Sequence, residues 1–580
     1  KEKIVNTTGN FGVDINLIKG LVWTSRLAGT INNRRYESFN GPKTYDGMDY
    51  DGHSNESGDD GHRITANSFL NYNVDIQKLN IAATLGYEYN ENYSKSYVMD
   101  IGGFPDIPGL EGPANGSEYL WADWNISGNT RWTERSESYF FRANLSYNRK
   151  YLLGFSIRRD GTSKLAKENR YSNFPAVSAG WVISDEAFMS RQHVINLLKL
   201  RTSYGMTGSI TNVSMADCYD RLSSDIYLGK PALSVASTLG NPDLQWEKTN
   251  QVDVGVDLAL FQNRLTLIAE WYLKRTSGMM NSEPLPSSTG GYTSRKINAG
   301  TIRNSGVDLA LNFQHHFTRD WGLTAGINMN INRSKVIDLP VDNWAYSSAY
   351  YGGGNTPRPR LKIGQSFGAL EMYRALGLDE RGDIIYDDVS GNGSIDAADK
   401  VIIDNLTPKF TGGLNLGVSW KNLSLFGQFS FTYGGKIYNL DEQLLRSTEL
   451  GYDDVMKNKP DYILDRWTQE NQSSRYPRFV VGAHGAQNET GWNDRPSTLY
   501  LFDASFLKLN KLTLSYNLPQ NWIQKLGMTS CSVYLSGENL FTLKNKKLNV
   551  PDPEAALTSG IAQKGVPSPR SFMIGLDLTF

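Results

Sequence analysis

The densest run of chemistry-bearing residues is Asp388-Val389-Ser390-Gly391-Asn392-Gly393-Ser394-Ile395-Asp396-Ala397-Ala398-Asp399. Oxygen donors fall at positions 1, 3, 5, 7, 9 and 12 of a calcium-loop template: Asp388, Ser390, Asn392, the Ser394 carbonyl, Asp396 and Asp399. Gly393 stands at position 6, where such loops turn sharply. Hard oxygen ligands suit Ca²⁺ or Mg²⁺, and the spacing predicts a structural ion in a loop. Two positions depart from the template: position 3 is Ser, and position 12 is Asp, which reaches less far than Glu. The competing reading is a polar glycine turn.

Other chemistry is sparse. The chain has no GxSxG elbow, HExxH pair or phosphate-binding Walker loop, so no enzyme is expected. Of the six His, His315 and His316 are expected in a short polar turn, and the Asp59-Asp60 and Asp453-Asp454 pairs in loops as solvated charge. The best candidates for holding a substrate are aromatics in long connections: Trp121, Trp124, Trp344, Tyr346, Tyr350, Tyr351, Trp467 and Trp492. Aromatic faces stack on sugar C–H surfaces and hold peptides; the alternative is that they pack the loops or form an interfacial girdle.

The elements that position these residues are strands. Phe572, Ile574, Leu576, Leu578 and Phe580 alternate with Ser571, Met573, Gly575, Asp577 and Thr579. The same two-residue period runs through Val252–Leu260 and, after a short turn, Leu265–Leu273. It recurs in Leu414–Trp420 with Leu423–Phe431, in Val307–Phe313 with Trp321–Met329, and elsewhere, for seventeen strands in all. A phase change between Leu509 and Leu512 predicts a bulge.

Composition narrows the class. The net charge of −1 argues against a nucleic-acid partner. No run approaches the roughly 20 apolar residues of a membrane helix, while Tyr 31, Phe 23, Trp 13 and Gly 55 suit a β-rich chain. Two Cys, Cys218 and Cys531, are too few for a disulfide scaffold, and Lys1-Glu2-Lys3-Ile4 does not open a signal peptide. Strands of ten or more residues exceed those of a soluble sandwich. Connections alternate between short (77–78, 261–264, 421–422) and long (31–62, 94–137, 207–248, 274–302, 334–409, 434–503, 542–570). That alternation is the pattern of an all-β, transmembrane antiparallel β-barrel in a bacterial outer membrane, with short periplasmic turns, long extracellular loops and a lipid-facing band. Phe580, closing an alternating strand, is expected to be a barrel-assembly signal. The first and last strands run the same way, so an odd number of upstream strands is expected outside this sequence.

Several stretches resemble the SusC/RagA family of TonB-dependent outer-membrane transporters of Bacteroidota. They are the run 147–181, LKLRTSYGMTGS, GNPDLQWEKTNQVDVGVDLALFQNRLTLIAEWYLKRTSGMM, NAGTIRNSGVDLALN, TPKFTGGLN and SFLKLNKLTLSYNLP. The resemblance implies a barrel of about twenty-two strands around an N-terminal plug, of which residues 1–580 are the C-terminal part. It also implies energy coupling through TonB and a SusD-like surface lipoprotein as partner. The expected function is active import of oligomeric nutrients, oligosaccharides before oligopeptides. A passive porin and a surface receptor are the rivals.

Overall fold

The computed structural model describes residues 1–580 except 108–109, 111, 113–114, 120–129, 229, 343, 346–355, 405, 447–460, 479–491, 525–526, 557–559, 563–564 and 566. The main antiparallel sheet has seventeen strands of nine to 24 residues, with a two-residue stub, Glu118–Tyr119, on one of them. The described residues form two compact units.

The first unit comprises Lys1–Trp181, Thr202–Gln251 and Thr276–Ala299. Its strands β1 (Glu2–Ile18), β2 (Leu21–Asn40), β3 (His53–Ile76), β4 (Leu79–Gly102), β5 (Thr130–Tyr147), β6 (Tyr151–Thr162) and β7 (Tyr171–Val182) pair in chain order. Each short turn fixes the register of the hairpin it closes, and the two-residue period then fixes which side chains share a face.

Here the strands outrun the expectation. Residues 31–40, 53–62 and 94–102, assigned above to long loops, continue β2, β3 and β4. At about 3.3 Å per residue, the 24 residues of β3 extend about 80 Å, far more than a membrane needs. The periodicity fades in these stretches because both faces are polar there, as in Asn32-Asn33-Arg34-Arg35 and Asp59-Asp60. The backbone ladder continues without an apolar face to mark it.

The second unit comprises Val182–Arg201, Val252–Arg275 and Gly300–Phe580. Strand β8 (Ile195–Ser209), β9 (Glu247–Leu260) and β10 (Leu265–Ser277) each have part of their length in this unit. Then β11 (Thr301–His316), β12 (Trp321–Asp338), β13 (Phe410–Trp420), β14 (Leu423–Tyr433), β15 (Phe506–Asn517), β16 (Ser530–Lys544) and β17 (Ser571–Thr579) pair in chain order. His315 and His316 end β11 rather than sitting in the turn, because their backbones still pair with Leu323 and Gly322. The expected bulge is at Asn510, which both neighbouring ladders skip. The Asn510 amide oxygen accepts from the Ser430 hydroxyl at 3.0 Å.

Along β13, Trp420, Val418, Leu416, Leu414 and Phe410 share one face, with Trp321 against Trp420 at the lower end and Tyr433 stacked on Phe410 (5.0 Å) at the upper. Ten residues separate the two aromatic ends, about 33 Å along the strand and about 25 Å of height at a 40° tilt. That height is the apolar band of an outer-membrane barrel. Side chains of the paired strand β13 on this face stand open: Leu416 is 40%, Val418 39% and Trp420 46% exposed.

Candidate functional site

Two regions of the second unit carry polar side chains in defined geometry. The first is the face of the sheet opposite the apolar band. Arg201 donates to the Asp257 carboxylate at 3.1 Å and also to Glu270, while Lys199 lies 3.6 Å from Asp257. Further round, the Asn330 amide donates to Asp308 at 2.5 Å and to the Tyr272 hydroxyl at 3.3 Å, and that hydroxyl donates to Asn332 at 3.2 Å. Asn415 and Asn312 continue the same face, each opposite Gly326. The period-two pattern creates this wall directly: every second residue of an apolar-banded strand is released to be Asp, Asn, Arg or Thr. The wall pairs charges and offers amides.

The second region is built from the long connections between β12 and β13, β14 and β15, and β16 and β17. They pack around one apolar core that includes Leu370, Met372, Ile384, Tyr386, Tyr438, Leu440, Trp492, Tyr500 and Ile561. Short ladders tie it together: Ala369–Met372 pairs with Val401–Ile403, and Lys436–Asn439 pairs with Leu501–Asp503 on one side and, in parallel, Ile561–Ala562 on the other. Asp383, 1% exposed, takes two bonds from Arg478 (2.6 and 2.9 Å) and one from the Asn493 amide (3.2 Å). The Asp383 carboxylate in turn raises the Arg478 guanidinium above its ordinary value. The Trp492 indole donates to the Ile384 carbonyl and the Tyr386 hydroxyl to the Trp492 carbonyl, both at 2.8 Å. Burial pushes the Tyr386 phenol well up, so it serves as a neutral donor.

Of the described loop aromatics, Trp492 belongs to this core. Trp344, in a two-residue pairing with Leu361, is buried. Trp492 is buried too, with Arg495 over its ring (4.6 Å) and Tyr386 beside it (5.6 Å). Both rings are enclosed by protein in this structure, so neither presents a face to a sugar or peptide. Trp467 is half-buried and covers Gly382, whose left-handed backbone (φ 82°) leaves no room for a Cβ beneath the indole. Trp121, Trp124, Tyr346, Tyr350 and Tyr351 lie outside the described residues. The buried core itself was missed in sequence: its members are scattered over nearly 200 positions, and only short alternating fragments such as Ile384–Tyr386 hint at it.

The 388–399 loop adopts the predicted turn, with Gly391 and Gly393 left-handed (φ 70° and 81°). Its oxygens are aimed at the loop's own donors. Asp388 accepts from the Gly391 and Gly393 N–H groups (2.8 and 2.9 Å) and the Ser390 hydroxyl (3.2 Å). Asp399, fully buried, accepts from the Asp396 and Ser390 N–H groups (2.8 and 2.9 Å), which hold its carboxyl below the usual range. Asn392 accepts from Ser394 N–H (2.8 Å), and Asp396 from Ala398 N–H (2.7 Å). Among the described residues, no three His, Cys, Asp or Glu side chains converge in a metal-holding group. The loop closes mainly on bonds from its own backbone N–H groups, with the Ser390 hydroxyl and the Asn392 amide adding side-chain bonds to Asp388 and Asp396, and an ion would have to compete with them.

Comparison with known proteins matches residues 2–540 to the family model of the TonB dependent receptor-like β-barrel. The chain belongs to that family. Its relatives include "TonB-dependent receptor P3" of Formosa agariphila (27% identical over 90% of this chain and 53% of the relative). "TonB-dependent receptor SusC" of Bacteroides thetaiotaomicron is 28% identical over 76% of this chain and 43% of its own length. The solved RagAB peptide transporter superposes with a TM-score of 0.83 and 26% identity, over all of this chain and 62% of that one. The chain is thus a SusC/RagA-type receptor barrel of the outer membrane, and it spans about half the length of the curated relatives it matches. The family is one of receptors, not of enzymes.

Proposed function

We propose that this chain is the C-terminal barrel portion of an importer that takes up oligomeric nutrients through the outer membrane, driven through TonB. The observation that supports it most is the pairing of a 25 Å apolar band with an amide- and charge-lined opposite face, topped in the second unit by a folded loop core. A wall of Asn, Asp, Arg and Tyr hydroxyls suits the passage of hydrated, hydrogen-bonding oligomers. An N-terminal plug, the remaining strands and the TonB contact would come from protein outside this sequence, and a SusD-like lipoprotein would close the loop side.

Oligosaccharides are the first substrate class proposed and oligopeptides the second; the likeness to a peptide transporter favours the second specifically. Of the loop aromatics, Trp467 and those outside the described residues are the proposed contacts. We further propose that 388–399 takes Ca²⁺ or Mg²⁺ weakly, through Asp388, Ser390, Asn392, Ser394, Asp396 and Asp399. Its support is the spacing of the oxygen donors along the loop.

Growth of a deletion strain tests the substrate class. Loss of growth on a defined oligosaccharide, with growth on its monomer retained, supports glycan import. Loss confined to oligopeptides supports the second reading, and unchanged growth on both overturns the importer.

A further inference from the structure

We propose that the lipid-facing side of β10–β13, just above the apolar band, binds the phosphate of a phosphorylated lipid of the outer leaflet through Arg275, Arg303, Arg333, Lys335 and Lys409. This rests on the outer-membrane location of the family and is independent of what the protein imports. All five residues belong to the second unit. The four strands lie inside the sheet with paired strands on both sides, so what they expose does not depend on strands outside this sequence.

Cations stand side by side on this face. Arg303 pairs directly with Lys335, and one row lower Ser305 pairs with Arg333. Arg275 joins the upper row from β10. The Gln314 N–H donates to the Arg264 carbonyl (2.8 Å), and Tyr272 lies over Gly306 to bond Asn332, which sets Trp271 beside Val307 and Arg275 beside Arg303. Lys409 immediately precedes β13, with its ammonium 5.8 Å from the centre of the Tyr433 ring.

All five are exposed, and none makes an ion pair among the described residues. Like charges directly opposite each other on a sheet destabilise it. Arg275, Arg303 and Lys335 therefore call for an anion, and no described acid pairs with them. The nearest acid along the register is Asp338, one row above and beyond a bulge; it is exposed and makes no ion pair with them.

Their level matches a headgroup. Asn330 pairs with Thr411, so Phe410, at the upper aromatic end of the band, stands level with Ile331, and Val307 and Trp271 continue that row. Arg333 is two residues above the row and Lys335 four, about 5 and 10 Å of height at the usual tilt. The interfacial layer of a bilayer is about 5–8 Å deep on each side. Trp420 and Leu423 close a short turn at the opposite end of β13, so the cations lie in the outer leaflet. Below them Trp271, Val307, Ile331 and Phe410 form an apolar wall. Unpaired cations directly above such a wall fit an anionic headgroup with its acyl chains attached. A free anion would have no use for the wall.

The test uses the full-length protein in nanodiscs of outer-membrane lipid. Retained lipid is quantified by mass spectrometry, comparing the native phosphorylated outer-leaflet lipid with the same lipid enzymatically dephosphorylated. The phosphorylated form should be retained at least about tenfold better. Arg303→Gln with Lys335→Gln should cut that preference by at least about tenfold, since each cation beside an anionic surface is worth roughly fivefold. Lys421→Gln, in the short turn at the opposite end of the strands, should retain lipid as the wild type does. Heat-dependent gel mobility checks folding and gives a second readout. In the dephosphorylated lipid the double variant should unfold at no lower temperature than the wild type, because it has shed a like-charge pair; in the phosphorylated lipid it should unfold at a lower one. Equal retention of the two lipid forms, an unchanged preference in the folded double variant, the reverse order of unfolding temperatures, or full displacement of the lipid by inorganic phosphate would each overturn the proposal.

Discussion

Placing an arginine at Leu416 should cost far more than placing one at its neighbour Asn415. Leu416 sits on the apolar face, four residues above Trp420 and six below Phe410. At about 3.3 Å per residue and a 40° tilt, it lies about 10 Å above one aromatic end and about 15 Å below the other. Its cross-strand partners, Ala325 and Gly427, are too small to shelter a guanidinium. A basic residue near mid-band costs about 2–4 kcal/mol; some snorkelling toward the Trp420 end recovers part of that, leaving about 2 kcal/mol, or roughly a thirtyfold shift in the unfolding equilibrium. Asn415 faces the polar wall, between Gly326 and Gln428, where an added cation stays within about 0.5 kcal/mol of the original. Reversible urea unfolding of the full-length protein in vesicles, followed by Trp fluorescence, reads both. A lowered midpoint for Leu416→Arg with little change for Asn415→Arg supports the assignment of faces. Equal costs, or the larger cost at Asn415, would refute it.

Phe580→Asp should reduce the amount of assembled protein at the cell surface, measured by surface labelling against total protein; normal levels would remove the assembly role. Asp383→Ala takes the carboxylate from Arg478 and Asn493, and should loosen the loop core by about 2 kcal/mol. That appears as protease cutting within 370–500 while β13 and β14 stay protected. Asp388→Ala should likewise speed cutting between 378 and 405, and millimolar Ca²⁺ should slow cutting of the wild type but not of the variant; no calcium effect on the wild type would leave the loop a hydrogen-bonded turn. Asp399 gives that loop a pH dependence. Its folded pKa lies below its unfolded value, so its stabilisation is fully present above about pH 4 and is lost as pH falls through the folded pKa. Protection of 378–405 should therefore be flat from neutrality down to about pH 4 and decline below it.

Much of the fold was legible because lipid enforces alternation. Wherever a strand crosses the apolar band, as in Leu414–Trp420 or Phe572–Leu578, every second residue must be apolar, and the period is plain. The Asn510 bulge was visible for the same reason, since one extra residue inverts the phase. Above the band the constraint disappears, and the extensions through Arg34, Asp59 and Ser96 could not be told from loops. The loop core escaped for a different reason. Leu370, Tyr438, Trp492 and Ile561 meet through long-range contacts that no local pattern encodes, so the sequence left open whether Trp492 packs the loops or faces a substrate, and in the structure it is buried in this core. The turn at Gly393 was readable, because left-handed backbone selects glycine; Gly391, also left-handed, was not singled out. Which way the Asp388 and Asp399 oxygens point was not.

Uptake by cells tests the central claim most directly. A labelled oligomer on which the deletion strain fails to grow should enter wild-type cells against its gradient, and entry should stop when the proton-motive force is collapsed or TonB is absent. Entry that persists without energy and only equilibrates with the medium would contradict active import and make the protein a passive pore.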